Sequence, residues 1–177
     1  MEKRDKTIIV GLIIVIILLV MGIASFFITD NNSNGKTASS GMKIYDFNSE
    51  FTMEVPKNSN FLKGWNNVSE FNFGDEYYYL DKSNKFSVIY VSSPLITHEL
   101  FDNSMNISNK SGNVSVEFEG DLKVIHNLNN TGKIGNSLDD TEFKYNILLQ
   151  KGHMIVIVSG NDLGFIKSMA NTIKFYE

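Results

Sequence analysis

The sequence contains no cysteine among its 177 residues. A chain without cysteine forms no disulfide bonds, so a folded domain depends on its hydrophobic core for stability. The absence also excludes a thiol nucleophile and a cysteine-linked lipid anchor. Hydrophobic residues make up 42% of the sequence, and the chain length suffices for one ordinary domain plus an appendage.

Arginine is nearly absent, since Arg4 is the only one in the sequence. The formal net charge is −4; residues 1–6 contribute +1 and residues 29–41 contribute zero, which leaves −5 on residues 42–177. Guanidinium groups are the usual partners of phosphates and guanine edges. We therefore expect no binding of nucleic acid by this acidic, arginine-free domain.

Recognisable catalytic and metal-binding motifs are missing as well. The pair His98-Glu99 begins like a zinc-protease motif, but Asp102 stands where the second histidine would be required. Acidic groups near Asp75 and Asp139 lack the spacing of a calcium-binding loop. The sequence thus predicts no catalytic, cofactor-binding or metal-binding residue, and we interpret the chain as non-enzymatic.

One long apolar run without any charge covers residues 7–28. In a helix it would be about 33 Å long, enough to cross a hydrocarbon core of about 30 Å. Basic residues precede the run and are scarce after it, which orients the N-terminus toward the cytoplasm. The predicted order is a cytoplasmic tail (1–6), a transmembrane anchor (7–28), a flexible linker (29–41) and an extracytoplasmic domain (42–177).

This order predicts a single-pass protein of the cell membrane, with the lipid bilayer as the partner of residues 7–28. The anchor is interpreted as an uncleaved signal anchor, because the apolar core of a cleaved signal is shorter. The tripeptide Gly22-Ile23-Ala24 leaves cleavage open as an alternative.

Alternating apolar residues predict an antiparallel sheet in the domain. Residues 51–55 form a strand that ends at Pro56, and three hairpins are predicted around turns at residues 81–84, 119–121 and 151–152. A short helix is predicted over residues 97–105. The chain ends with an amphipathic helix over about 161–172 and a short strand at 173–175.

The predicted fold class is therefore α+β. It consists of an N-terminal transmembrane helix and an antiparallel sheet packed by one or two helices, closing with a helix–short strand unit.

Aromatic residues concentrate between residues 65 and 79. At strand spacing, Tyr77 and Tyr79 face one side of the sheet and Tyr78 faces the other. Sheet aromatics are commonly core residues, whereas an exposed aromatic face offers a stacking surface for a glycan or a partner protein. The predicted partner or ligand surface consists of Trp65, Phe71, Phe73, Tyr77, Tyr78 and Tyr79.

Asparagine begins six triplets of the form Asn-x-Ser/Thr, which are acceptor sites for glycans in exported proteins. The alternative is that a composition rich in asparagine and serine generates such triplets by chance. The possible glycosylation sites are Asn31, Asn67, Asn106, Asn109, Asn113 and Asn129.

Two stretches together resemble the PsbP-like group of α+β domains. The first is Phe-x-Met-x-Val-Pro at residues 51–56 followed by Trp65, and the second is residues 155–175, ending in Ile-Lys-Phe. The resemblance covers most of residues 45–176 in topology and little of it in identity, and the Pro56–Trp65 spacing is longer than is usual in the group. It implies helices packed on an antiparallel sheet and a role as an assembly or accessory subunit. No site residue of the group matches a position here, so none is transferred.

The leading hypothesis is a membrane-tethered, extracytoplasmic binding or accessory domain whose partner is an envelope protein or a glycan. One alternative is an exported enzyme of the hydrolase type. Another is a pilin-like filament subunit, which the basic leader favours and the polar segment after residue 29 disfavours.

Overall fold

The structure, a computed structural model, describes residues 38–67, 75–103, 114–127 and 143–176. Within these ranges ten strands form two sheets, and helix is limited to residues 98–103 and Leu163–Ala170. The strands are β1 (Met42–Phe47), β2 (Phe51–Pro56), β3 (Leu62–Asn67), β4 (Asp75–Asp81), β5 (Phe86–Ser92), β6 (Val114–Glu119), β7 (Leu122–Asn127), β8 (Tyr145–Lys151), β9 (Met154–Gly160) and β10 (Lys174–Phe175).

The larger sheet has seven strands in the order β3-β4-β5-β9-β8-β7-β6, and all neighbouring strands are antiparallel. Three of its pairs, β4–β5, β6–β7 and β8–β9, are the predicted hairpins. The turn between β8 and β9 places Gly152 at a φ of +58°, a conformation that favours glycine. In the turn after β4, the carboxylate of Asp81 accepts a hydrogen bond from the backbone N of Asn84 at 2.9 Å. Local turn chemistry therefore specifies these three pairings.

Strand β9 lies near the middle of this sheet, between β5 and β8, and each of its residues is buried. Residues 154–158 are apolar at every position, which predicts a central strand covered by helix on one side, and the structure confirms this prediction. Strands buried on both faces have apolar side chains on both faces, which is why β9 lacks the usual alternation.

The smaller sheet has the order β1-β2-β10. Strand β2 is the predicted strand that ends at Pro56, and β10 is the predicted short final strand, here paired antiparallel with β2 through Lys174 and Thr52. Strands β1 and β3 were not predicted, because neither segment has a clear alternation of apolar residues.

The small sheet and the closing helix, Leu163–Ala170, cover one face of the large sheet, which we call the first face. Aromatic rings dominate the contact between the two sheets. Phe47 stacks on Phe51 with centroids 4.7 Å apart, and it also meets the ring of Tyr79 edge-on at 4.9 Å. Such ring pairs contribute about 0.5–1.5 kcal/mol each beyond the area they bury. This contact forms the main core of the described part of the molecule.

The closing helix begins after Asp162, whose carboxylate accepts a hydrogen bond from the backbone N of Phe165 at 3.0 Å. The helix thus starts slightly later than the predicted residue 161, with Asp162 as its capping residue. Ile166, Met169 and Ala170 are buried, as the predicted apolar stripe requires. Beyond the helix, Thr172 Oγ1 accepts a hydrogen bond from the backbone N of Glu54 at 2.8 Å and so joins the chain end to β2.

The opposite face of the large sheet, which we call the second face, carries a smaller buried cluster that includes Tyr78, Ile89 and Ile157. The segment after β5 crosses this face. Its short helix begins at residue 98 after Thr97, whose Oγ1 accepts a hydrogen bond from the backbone N of Leu100 at 3.3 Å. Phe101 is 2% exposed and fixes the helix to the sheet. The predicted short helix with Thr97 as its cap is therefore present over 98–103.

The predicted fold class is wrong. An α+β domain behind a transmembrane helix was expected, whereas the described residues are mostly β-sheet. The helix that was expected to pack on the sheet occupies only part of the first face, and a second sheet covers much of the rest. The cause is the hairpin β1–β2, whose aromatic side chains cover the part of the first face that helices were expected to cover.

The prediction of a single-pass membrane protein receives no support from the structure. None of the helices within the described ranges is long and apolar enough to cross a membrane. The predicted tail, anchor and the linker up to residue 37 lie outside the described residues.

The close approach of the closing helix to β9 yields a test of this packing. A Cβ at Gly160 would lie 2.5 Å from Ile166 Cγ2, a branched methyl with little freedom to move, so Gly160→Ala is expected to lower the free energy of unfolding by about 1–3 kcal/mol. The measurement is urea unfolding followed by circular dichroism.

Gly164→Ala is the matched control, because an added Cβ there meets only Asp162 Oδ1, at 3.5 Å. It replaces an exposed helical glycine and is expected to leave stability equal or raise it by up to about 1 kcal/mol. If both variants have the same stability, the helix does not pack on β9 as described.

Candidate functional site: an aromatic row at the sheet edge

Three aromatic residues occupy neighbouring positions across β3, β4 and β5. The strand register pairs Trp65 with Tyr77 and Tyr77 with Tyr90. Directly paired residues of antiparallel strands lie on the same face with Cβ atoms about 4.5–5.5 Å apart. We call Trp65, Tyr77 and Tyr90 the aromatic row; it lies on the first face and runs from the edge strand β3 inward.

The members of the row are in direct contact. Tyr77 and Tyr90 are stacked, with centroids 4.8 Å apart and ring planes at 14°. Trp65 acts on the Tyr77 hydroxyl as a hydrogen-bond donor, because indole has no acceptor, and this interaction lowers the pKa of Tyr77. The exposed fraction of the side chain falls from 51% at Trp65 to 0% at Tyr90. The row therefore connects an exposed indole to the hydrophobic core.

The inner end of the row is held by the turn between β1 and β2. Asn48 Nδ2 donates a hydrogen bond to Tyr90 Oη at 2.7 Å. Asn48 has a φ of +54° and Ser49 a φ of +59°, and asparagine tolerates this left-handed conformation better than most residues. Phe51 meets the ring of Tyr90 edge-on at 5.4 Å. Since Tyr90 is fixed from two sides, Tyr77 stacks on a rigid support.

The hydroxyl of Tyr77 lies in an acidic environment. Partial burial raises its pKa, the negative charges of Asp75 and Glu50 raise it further, and the hydrogen bond from Trp65 acts in the opposite direction. The phenol is protonated at neutral pH, as it already is at the ordinary tyrosine pKa of 10.0, so the hydroxyl is available as a donor and an acceptor. The row thus offers an aromatic surface in a negative electrostatic environment.

The predicted contact residues are divided among three environments. Trp65 is exposed and Tyr77 is half-buried, whereas Tyr78 and Tyr79 are 6% and 2% exposed and belong to the cores of opposite faces. A partner cannot reach Tyr78 or Tyr79 in this structure, because the covering segments bury both rings. Phe71 and Phe73 lie outside the described residues. Tyr77 and Tyr79 share the first face and Tyr78 occupies the second, as the strand alternation predicted.

The predicted glycosylation sites fall where the structure gives no side chain. Asn67 is in β3, but only its backbone is described. The other five, Asn31, Asn106, Asn109, Asn113 and Asn129, lie outside the described residues.

Sequence reasoning missed Tyr90, Asn48 and Glu50 as parts of the site. Tyr90 was assigned to a predicted strand, but only the register of β4 against β5 shows that it stacks under Tyr77. Asn48 and Glu50 belong to a turn that follows an unpredicted strand. No pattern in the sequence joins that turn to Tyr90, which is 42 residues away from Asn48.

Burial of the two inner tyrosines predicts a loss of stability at high pH. Desolvation is the main reason why the pKa values of Tyr79 and Tyr90 are raised far above 10 in the folded protein, whereas an unfolded chain releases these protons near pH 10. Below pH 10 both states are protonated and stability is complete. As the pH rises above 10 only the unfolded state ionises, so the free energy of unfolding falls.

The expected contribution is about 1 kcal/mol for each tyrosine between pH 8 and pH 11. Urea unfolding at these two pH values checks it. Tyr79→Phe and Tyr90→Phe should each lose less stability over this interval than the original chain, whatever their stability at pH 8. An identical loss in all three proteins contradicts the burial of the two hydroxyls.

Comparisons with known proteins add no assignment to this geometry. No family model matches the chain, and neither a curated protein nor a solved structure matches it. The PsbP-like resemblance therefore stays a prediction, and function must be argued from the site itself.

Proposed function

We propose that the chain is a non-enzymatic binding or accessory domain, and that Trp65 and Tyr77 form its contact surface. The observation that carries this proposal is the half-exposed indole of Trp65, held by an aromatic row that continues into the core. The proposed partner is an envelope protein or a glycan outside the cytoplasm.

Rigidity is the first physical argument for a binding role. Binding loses affinity when it must immobilise flexible side chains, at about 0.5–1.5 kcal/mol for each one. The indole of Trp65 lies beside Tyr77 in the strand register, and Tyr77 stacks on the fully buried Tyr90. Trp and Tyr are enriched among the residues that dominate binding energy, since they bury much area with few rotatable bonds.

The negative charges that act on Tyr77 are the second argument, and they favour a neutral or amino sugar. The apolar face of a sugar ring stacks on an aromatic side chain, while its hydroxyl groups donate hydrogen bonds to nearby acceptors. Glu50 and Asp75 act on the Tyr77 hydroxyl electrostatically, and both carry carboxylate acceptors. The same carboxylates, with the domain charge of −5, disfavour an acidic polysaccharide.

Because Trp65 is the only tryptophan in the sequence, its fluorescence reports on this surface alone. Titration of the full-length chain with neutral oligosaccharides, such as tetra-N-acetylchitotetraose and cellotetraose, is expected to shift or quench the emission of Trp65. Tyr77→Ala should weaken the binding about 30-fold if the row is the contact surface, which corresponds to about 2 kcal/mol. Leu95→Ala removes a side chain that is 48% exposed outside the row and should leave the affinity unchanged.

A protein partner is tested by photocrosslinking in intact cells, with a benzophenone amino acid placed at residue 65 or, as the control, at residue 95. Crosslinking to one defined protein from residue 65 but not from residue 95 supports the proposal, and Tyr77→Ala should reduce the yield. Circular dichroism must show that Tyr77→Ala remains folded. The proposal fails if no oligosaccharide alters the emission and the crosslinks from the two positions do not differ.

A further inference from the structure

A second concave surface lies far from the aromatic row. It is a cavity of about 350 Å³ between the helix at residues 98–103 and the β6–β7 hairpin. This size is at the lower end of small-molecule sites. The cavity borders β6, β7 and β8, at the opposite end of the strand order from Trp65 on β3. Its lining consists of His98, Asp102, Phe118, Gly120, Asp121, Lys123 and Gln150.

The wall formed by Lys123 carries no free positive charge. Its Nζ atom lies 2.7 Å from Asp102 Oδ1 and 4.1 Å from the centroid of the Phe101 ring. The side chain of Lys123 is 13% exposed, whereas that of Asp102 is 53% exposed. Lys123 therefore holds the short helix against the hairpin, and its charge is compensated by a carboxylate and an aromatic face.

The remaining charged group of the lining is Asp121, in the turn between β6 and β7. Within the described ranges Asp121 has no ion-pair partner, since the lysine and histidine side chains that form ion pairs there contact Asp102, Glu117 and Glu119. With histidine counted as neutral, the ion pair of Lys123 cancels and Asp121 leaves one negative charge on the lining. An anionic ligand is disfavoured in such a cavity, and a cation is attracted.

Phe118 adds an aromatic face at the same place. It is among the most exposed large hydrophobic residues of the described chain, at 54%. Phe118 precedes the turn that carries Asp121, and the strand register pairs it with Lys123. An exposed ring together with a carboxylate is a combination that recognises organic ammonium groups, because the ring quadrupole and the carboxylate both attract a positive charge.

We propose that this cavity binds an organic ammonium ion, with Phe118 contacting the cation face-on and Asp121 compensating its charge. The ammonium group can come from a free amine or from a choline headgroup, since both carry a positive charge on nitrogen that an aromatic face and a carboxylate attract. This site is independent of the aromatic row, so its test is separate from the test of the proposed contact surface.

The test is a titration of the full-length, ¹⁵N-labelled chain by nuclear magnetic resonance, observing the backbone amides of Gly120 and Asp121. The probes are choline, tetramethylammonium and cadaverine. The control ligand is 3,3-dimethylbutan-1-ol, which has the shape of choline without its charge. The ammonium ions are expected to shift these amides with saturation, and the neutral alcohol is not.

Variants of the hairpin test the roles of the two residues. Phe118→Ala and Asp121→Asn are each expected to weaken ammonium binding about two- to fivefold, the range for cation–aromatic and charge contacts at an exposed site. Glu117→Gln is the matched control, because it removes one charge from the same hairpin without lining the cavity. Trp65→Ala should leave ammonium binding unchanged.

The outcomes separate the two sources of the ligand. Saturable binding of cadaverine without choline indicates a free primary amine, and preference for choline and tetramethylammonium indicates a methylated headgroup. The proposal is overturned if no ammonium ion shifts the amides, if the neutral alcohol binds equally, or if Glu117→Gln weakens binding as much as Asp121→Asn.

Discussion

The packing of the β1–β2 hairpin against the first face of the large sheet is the contact on which the other features depend. Phe47 and Phe51 stack on each other and meet the rings of Tyr79 and Tyr90. Without cysteine, the domain has no covalent link that replaces this aromatic core. The same contact fixes both ends of the domain, because β10 pairs with β2 and Thr172, which follows the closing helix, is hydrogen-bonded to β2.

The candidate contact surface is an extension of this core toward solvent. Tyr90 belongs to the core, Tyr77 stacks on it, and Trp65 continues the row beyond the covering sheet. The turn that places Asn48 on the Tyr90 hydroxyl also carries Glu50, one of the charges that act on Tyr77. The residues of the row thus contribute both to stability and to the proposed binding role, and the relative size of the two contributions differs from residue to residue. For this reason the outer residues of the row are the useful ones to mutate, since changes at Tyr90 would disturb folding first.

The cavity near the β6–β7 hairpin is built differently from the aromatic row. Its helix is anchored by the apolar Phe101, while the ion pair of Lys123 with Asp102 sets the position of the polar wall. The hairpin contributes Phe118 and Asp121 to the lining. The two sites share the large sheet as a scaffold and have no residue in common, so one chain offers an aromatic surface at one edge and a polar cavity toward the other.

Features that depend on neighbouring residues were predictable from the sequence. Turn chemistry around Asp81, Gly120 and Gly152 specified three hairpins, and the stripe of Ile166 and Met169 specified the closing helix, because these patterns are local. The fold class and the site depend on contacts between residues that are far apart in the sequence. Strand β2 meets β10 more than a hundred residues later, as the separation of 118 residues between Glu54 and Thr172 shows. Trp65, Tyr77 and Tyr90 form a row only through the register of three strands, and a shift of one residue would turn the side chains of a strand to the other face.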